Sequence, residues 1–359
     1  MDTSEPLISF DERGICTYCR QYEAKHEMLK LKGALDEAEM AKRMDAIIEK
    51  IKADGKGKPY DCIIGLSGGV DSSFVARLVK KLGLRPLGVH FDNGWNSELA
   101  TGNIENLCKK LGIELYTYVV NWNEFRDLQK SFLKAGVANA EIPTDHGIFA
   151  TLYQLADKFK VNYIIDGVND ATEFVRKNFS ASGWVYADLK HLKAIHKLFG
   201  TVPLKTFPTM SLLKKAWYQK VKKITQVSIL NLINYHKEDA IKILERELEW
   251  RKYGGKHHES IFTKWHQLVY LPKRFGFDKR RVHLSDLILC GQITRQQAID
   301  ELSTKPISDT ELQELEKYVQ KKLGFSEKEY NKLLNSAPLS YKDYPNDEKL
   351  INLYQKFKK

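Results

Sequence analysis

From Tyr60 to about residue 165, short apolar runs alternate with stretches in which apolar residues recur every three or four positions. The runs predict strands over 61–66, 86–91, 114–120 and 163–165, and the amphipathic stretches predict helices over 72–82, 98–111, 124–134 and 147–159. Strands that alternate with helices imply a mainly parallel sheet covered on both faces, an α/β fold. In such sheets ligands bind beyond the carboxyl ends of the strands, where the Gly- and Asp-rich segments of this chain fall.

Either side of this region the pattern changes. Residues 1–22 read as irregular, with Phe10-Asp-Glu-Arg-Gly14 as a turn that delivers Cys16-Thr-Tyr-Cys19. A helix is expected over about 35–52 from the spacing of Met40, Met44, Ile47, Ile48 and Ile51, followed by the linker Asp54-Gly-Lys-Gly-Lys-Pro59. Beyond Trp184 the chain turns basic and aromatic and strand signals become sparse. The tail reads as helical, with capping boxes at Ser308-x-x-Glu311 and Ser326-x-x-Glu329. There is no internal repeat. Three regions result: 1–58 with the Cys pair and a helix, an α/β domain over 59–200, and a basic, mainly helical region over 201–359.

With 43% apolar and 29% charged residues, the composition is that of a folded chain, not of a disordered, collagen-like or disulfide-scaffold one. The 57 Lys and Arg against 46 Asp and Glu leave a net charge of +11, which favours polyanionic ligands. No apolar run approaches the ~18 residues of a membrane span, and the start lacks a basic then apolar leader, so a cytoplasmic protein with reduced thiols and no membrane partner is expected. Cys16 and Cys19 then read as half of a metal site or a redox pair.

The sharpest chemical signal is Ile63-Ile64-Gly65-Leu66-Ser67-Gly68-Gly69-Val70-Asp71-Ser72-Ser73, a strand running into a Gly-rich turn and then a helix. Glycines let backbone approach an anion, hydroxyls add donors, and the helix start offers unpaired N–H groups and a positive dipole end. This is a phosphate cradle. It is not a Walker A loop, since no Lys-Ser or Lys-Thr follows the glycines.

Ser67-Gly-Gly-Val-Asp-Ser72 resembles the pyrophosphate (PP) loop of the N-type ATP pyrophosphatases, which include asparagine and GMP synthetases and tRNA thiolases. The resemblance implies a PP-loop fold of the adenine nucleotide alpha hydrolase type, ATP and Mg²⁺ as cofactors, and adenylation of a substrate oxygen with loss of pyrophosphate. Ser67, Gly68, Gly69, Val70, Asp71, Ser72 and Ser73 would hold the phosphates, with Asp71 on Mg²⁺. Asp92, in Val89-His-Phe-Asp-Asn93, and Gly167, in Ile165-Asp-Gly-Val-Asn-Asp170, would complete the nucleotide site.

Gly254-Gly-Lys-His-His-Glu-Ser260, Thr263-Lys-Trp-His266, the basic run from Tyr270 to Arg281 and His283-Leu-Ser285, with the N-terminal segment through Cys16, resemble the N-acetyl sugar amidotransferases of bacterial surface-polysaccharide and nonulosonic acid pathways. That resemblance spans nearly the whole chain. It implies ATP-dependent activation of a sugar acetamido oxygen, then attack by ammonia to give an acetamidino group on an N-acetylated sugar, nucleotide-linked or free. It also implies a glutaminase and a cyclase-like companion, both related to imidazole glycerol phosphate synthase. His257 or His258 would accept the ammonia proton. Lys256, Lys264, Arg274 and Arg280 would neutralise phosphates, with Lys264 counted among the catalytic groups and Asp145, His146, Asp170 and Glu173 as further substrate contacts.

The family carries an earlier Cys-x-x-Cys before the segment matching Met1-Asp-Thr-Ser, so Cys16 and Cys19 are expected to be half of a Zn²⁺ ribbon in a sequence that begins at an internal Met. The alternatives are completion by histidines or Cys290, or no metal. A tRNA-modifying enzyme of the thiolase or lysidine type is the second reading and a nucleotide sensor the third. Cys62 and Cys108 stand alone, which argues against sulfur transfer through a disulfide and makes nucleic acid an unexpected partner. Nothing resembles a glutaminase nucleophile, so nitrogen is expected to arrive as ammonia.

Overall fold

The computed structural model describes residues 1–3, 5, 7–31, 35–178, 184–255 and 257–356. Five parallel strands, β1 (Cys62–Gly65), β2 (Pro86–Asp92), β3 (Glu114–Val119), β4 (Tyr163–Asp166) and β5 (Thr225–Ser228), form one sheet in the order β3-β2-β1-β4-β5. Ile63 lies opposite Leu87 on one side and Ile164 on the other. Strand order reverses between β1 and β4, so the crevice beyond their carboxyl ends is the topological switch point.

The pleat sends successive side chains of β1 to opposite faces. Ile64, with Ile165 and Val227, packs against α2 (Glu37–Asp54), α3 (Val70–Lys81), α4 (Glu98–Leu111) and a later helix, Lys237–Leu248. Ile63, with Leu87, Val89 and Ile164, packs against Ala150, Leu152, Tyr153 and Ala156 of the helix Ile142–Lys158. A third core joins Phe125, Leu128 and Phe132 of the helix Trp122–Ala135 to Phe262, Trp265, Val269, Val319 and Leu323.

The four strands and four helices read from the α/β pattern are present with small shifts at their ends, and both expected capping boxes close, at Ser308 and at Ser326. Three features differ. β5 lies beyond residue 200, so the sheet extends into the stretch assigned to the basic region; with only Val227 buried, this edge strand carries almost no apolar signal. Helix α1 (Thr17–Leu31) starts where irregular chain was expected, and its one buried residue, Tyr18, leaves no amphipathic stripe to read. Residues 266–275 continue the short helix Ile261–Trp265 with the wider π-type winding around Pro272. Among the described residues, no helix is long and apolar enough to cross a membrane.

Candidate active site

The loop between β1 and α3 is built to hold an anion. Gly68 has φ +80°, and a Cβ there would lie 2.5 Å from the Ala100 carbonyl, so only glycine fits. Gly69 caps α3 without a side chain. Ser67 Oγ is 3.1 Å from Ser72 Oγ and accepts from the Gly69 N–H at 3.2 Å. A later segment closes over the loop: Trp250 Nε1 donates to the Gly68 carbonyl at 3.0 Å, and the Val70 N–H donates to Tyr253 OH at 3.2 Å. Ser67 Oγ donates to Glu259 Oε1 at 3.4 Å.

Two cavities meet at this loop. One, of about 550 Å³, is lined by Gly69, Val70, Asp71 and Ser72 together with Glu173, Lys237 and Lys252. The other, of about 370 Å³, runs from Ser67 past His90, Phe91 and Asn93 at the end of β2 to Glu141, Thr263, His266 and Gln267. Ser67, Asp145, Phe149, Gly167, His257 and Glu259 border both. The first cavity borders the start of α3, where first-turn backbone N–H groups and the positive end of the helix favour an anion, and the second opens from it along the end of β2.

Acidic groups gather on the phosphate side. Asp71 Oδ1 accepts from the Tyr235 hydroxyl at 2.5 Å, and burial together with the Asp71 charge keeps that phenol protonated well above its ordinary range. Burial acts to raise the Glu259 carboxyl, but His257 and Tyr253 outweigh it and hold Glu259 below the usual carboxylate range. His257, at φ +65°, has Nδ1 3.6 Å from Glu259 and Nε2 4.0 Å from Glu173. Asp166 is pushed up by burial despite accepting from Gln226. Asp71, Glu173 and Glu259 supply hard oxygen donors, and Glu259 Oε2 is buried with no hydrogen-bond partner among the described residues. Among the described residues the three do not converge into a ligand cluster of their own, but one or two of them would suit Mg²⁺, which completes its shell with phosphate oxygens and water.

Of the residues expected in the nucleotide site, Ser67, Gly69, Val70, Asp71, Ser72 and Gly167 line the cavities. Gly68 and Ser73 shape the loop from beneath; Ser73 is buried. A Cβ on Gly167 would come within 3.0 Å of Asp71 Cβ, so this glycine admits α3 to the end of β4. Asp92 does not reach the cavities: its carboxylate closes a turn onto the Gly94 N–H at 2.9 Å, and its neighbours His90, Phe91 and Asn93 line the wall instead.

Among the expected substrate and catalytic groups, Asp145, Glu173 and His257 line the cavities, whereas His146, Asp170, His258, Lys264, Arg274 and Arg280 line neither. His146 is buried, with Nδ1 donating to the Tyr186 carbonyl at 2.7 Å and Nε2 accepting from the Met210 N–H at 3.1 Å. Asp170 pairs with Lys25 beside a separate groove. His258 Nδ1 accepts from the Gly255 N–H at 2.9 Å, and burial with the nearby Lys264 charge lowers its pKa to about 4. Lys264 itself lines neither cavity. Arg274 donates to the carbonyls of Leu133, Leu333 and Ala337, and Arg280 pairs with Asp278 and donates to the carbonyls of Glu301, Leu302 and Thr304. Both arginines satisfy helix ends, which leave carbonyls unpaired. Lys256 lies outside the described residues. Glu259 sat unremarked inside a motif dense in His and Lys, and Tyr235, Trp250 and Tyr253 are single aromatics with no sequence pattern around them.

Cys16 and Cys19 lie side by side at the start of α1, with their sulfurs 3.4 Å apart, and burial pushes the Cys19 thiol up to about 11. Among the described residues no group of three or more metal-ligating side chains forms. Metal analysis of this chain is expected to give well under one zinc per molecule; a stoichiometric value would reveal further ligands. At the loop, a Cβ on Gly69 would lie 2.8 Å from Glu259 Oε1 and 3.0 Å from Tyr253 OH. Gly69→Val is therefore expected to abolish MgATP binding in calorimetric titrations with little change in melting temperature; unchanged affinity would remove the loop from the site.

Residues 39–204 match the NAD synthase family, and residues 259–358 match the family described as LPS biosynthesis protein WbpG-like, C-terminal domain. A tRNA-specific 2-thiouridylase of Fusobacterium nucleatum is 29% identical over 121 residues, 31% of this chain and 34% of that protein. A tRNA(Ile)-lysidine synthase of Chlamydia pneumoniae is 30% identical over 139 residues, 37% of this chain and 39% of that protein. The chain thus spans between a third and two-fifths of the length of these curated relatives. Among solved structures, NH3-dependent NAD synthetase from Campylobacter jejuni aligns over 77% of this chain and 100% of that one at 16% identity and a TM-score of 0.32. NMN synthetase from Francisella tularensis aligns over 74% and 96% at 16% identity and a TM-score of 0.32.

Sheet order and loop, in a segment similar to the NAD synthase family, give a PP-loop, NAD-synthase-like fold: a parallel five-stranded sheet with flanking helices. The C-terminal segment similar to the WbpG-like family contributes Glu259, Thr263 and His266 to the cavity walls.

Proposed function

We propose that this chain is the synthetase component of an ATP-dependent, AMP-forming amidotransferase that converts the acetamido group of an N-acetylated sugar into an acetamidino group. The observation that carries the reading is the shared cavity: PP-loop residues at one end, and residues of the segment matching a lipopolysaccharide-biosynthesis family at the other. The acetamido oxygen attacks the α-phosphorus of ATP and pyrophosphate leaves into the cavity lined by Asp71 and Ser72. Ammonia then adds to the activated carbon and AMP departs. Mg²⁺ would neutralise charge on the leaving pyrophosphate. Ser67, Ser72 and the start of α3 orient the phosphates, while His257, held between two carboxylates, brings a proton-carrying group to the junction. A glutaminase and a cyclase-like companion would deliver the ammonia.

Two observations keep tRNA modification as a second reading: the thiouridylase and lysidine synthase matches. The thiols argue against a sulfur-transfer variant, since burial pushes Cys108 up to about 11 and raises Cys62 further, which disfavours thiolates. The purified chain with ATP, Mg²⁺, ammonium chloride and N-acetylated sugars, free and nucleotide-linked, is expected to yield AMP, pyrophosphate and an amidine detectable by mass. Glutamine alone is expected to yield none. Turnover with tRNA in place of the sugar would overturn the reading.

A further inference from the structure

At the end of the 370 Å³ cavity remote from β2 lies an imidazole for which none of the expectations above accounts. His266 opens the π-wound segment and is 5% exposed. Its Nε2 is 2.9 Å from the Ala138 carbonyl, an acceptor only, so Nε2 carries the hydrogen and Nδ1 carries the lone pair. Nδ1 is buried without a hydrogen-bond partner among the described residues, on a side chain that lines the cavity. The nearest charge is the Glu141 carboxylate, with Oε2 at 3.9 Å from Nδ1. Glu141 is itself fixed by the Thr263 hydroxyl, which donates to its other oxygen.

The surroundings define what this imidazole does best. Phe262 stacks on it at 6.3 Å between ring centroids and Tyr270 at 5.4 Å. Burial lowers its pKa, Glu141 and the Ala138 carbonyl act to raise it, and the Lys279 charge acts to lower it. The Nδ1 lone pair thus has no committed hydrogen bond among the described residues, and the Glu141 carboxylate 3.9 Å away is placed to stabilise the cation once a proton arrives. Of the nearby histidines, His258 Nδ1 accepts from a backbone N–H, and His257 lies between Glu173 and Glu259. His90 has Nδ1 2.9 Å from the Leu66 carbonyl and Nε2 2.8 Å from Asn96 Nδ2. His283 also lines the cavity, with its ring 5.9 Å from that of His257. Wide helical turns of this kind recur at functional sites, and here the turn displays His266, Gln267 and Leu271 to one cavity.

We propose that His266 is a catalytic base that takes the proton from the incoming nitrogen nucleophile at Nδ1, with Glu141 as the positioning residue that stabilises the resulting imidazolium. The proposal rests on the amidotransferase reading. When ammonia adds to the adenylated, N-protonated imidate, its lone pair forms the new C–N bond and the C=N π pair moves onto the acetamido nitrogen. The added nitrogen becomes an –NH₃⁺ group on a tetrahedral carbon. One proton passes to His266 Nδ1. The freed lone pair then expels AMP by breaking the C–O bond, which leaves the amidinium, and the imidazolium returns its proton to solvent. No oxidant or reductant is needed. Without the base, the adduct would lose ammonia, a better leaving group than –NH₂, and return to the adenylate.

The test separates the two half-reactions. ATP–pyrophosphate exchange, measured with free and nucleotide-linked N-acetylated sugars beginning with UDP-N-acetylglucosamine, reports adenylation; mass detection of the amidine reports nitrogen transfer. His266→Gln is expected to keep exchange within about 3-fold of wild type and to lower amidine formation from ammonium about 100-fold. Hydroxylamine, whose adduct sheds its proton far more readily, is expected to bring the variant back to within about 10-fold of wild type, a rescue that a merely structural role would not produce. Glu141→Gln keeps an acceptor for Thr263 and is expected to move the acid limb of the amidination rate to lower pH, because the imidazolium loses its counter-charge. Undiminished amidination by His266→Gln, loss of both half-reactions together, or an unmoved acid limb in Glu141→Gln would overturn the assignment. Absence of exchange in the wild-type chain with every sugar would instead overturn the amidotransferase reading and the proposal with it.

Discussion

Asp71→Asn is expected to cut pyrophosphate release by about 10²–10³-fold while the protein melts within a few degrees of wild type. The carboxylate sits in the first turn of α3 and lines the cavity beside Gly69 and Ser72. Its Oδ1 accepts from Tyr235. An amide oxygen can accept the same bond, so the contact between α3 and Tyr235 survives the substitution. What is lost is a negative charge in the cavity where, on the proposed reaction, a divalent cation would be held against the leaving pyrophosphate. Pyrophosphate release in a coupled assay, compared with thermal melting of the same preparation, distinguishes loss of chemistry from loss of fold. Wild-type turnover would take Asp71 out of the machinery.

Arg274→Ala is expected to cost about 3–5 kcal/mol of folding stability, a change of another kind. The guanidinium is 8% exposed and donates to three carbonyls, Leu133 in the last turn of its helix, Leu333 in the last turn of another, and Ala337 just beyond. Removing it takes the donor from the Leu333 and Ala337 carbonyls, while Leu133 keeps the Gly136 N–H at 3.1 Å, and opens space beside Gly136, where the guanidinium packs so closely that a Cβ would lie 2.2 Å from Nη2. Denaturant titration should show the lower midpoint, and nucleotide affinity of the folded fraction should be unchanged. A weakened affinity with normal stability would return Arg274 to the substrate site.

That contrast shows where sequence reasoning works on this chain and where it stops. β1, β2 and β4 are visible because strands covered on both faces are written as apolar runs, the largely exposed β3 through its β-favouring Tyr, Thr and Val, and the loop after β1 because glycine, serine and aspartate in that order have few other uses. β5 and α1 escape notice because each buries a single residue. The basic segment around Arg274 and Arg280 shows the opposite error: its charges look available for phosphates, yet they are spent on carbonyls at helix ends. Which charge is spent depends on partners tens to hundreds of positions away, as Glu259 on Ser67 and Glu141 beneath His266 also do. No local pattern encodes those meetings.

The seat of Glu259 has a thermodynamic consequence. A carboxylate touching Ser67 and bordering both cavities repels a triphosphate until it moves or is screened by a cation. An acceptor that draws Glu259 toward its own side lowers that repulsion, and nucleotide then binds more tightly. Linkage makes the effect mutual: the factor by which acceptor raises nucleotide affinity equals the factor by which nucleotide raises acceptor affinity. On the proposed reaction, tighter nucleotide binding in the presence of the N-acetylated sugar, matched by an equal factor in the reverse direction, is the expected signature of this one side chain.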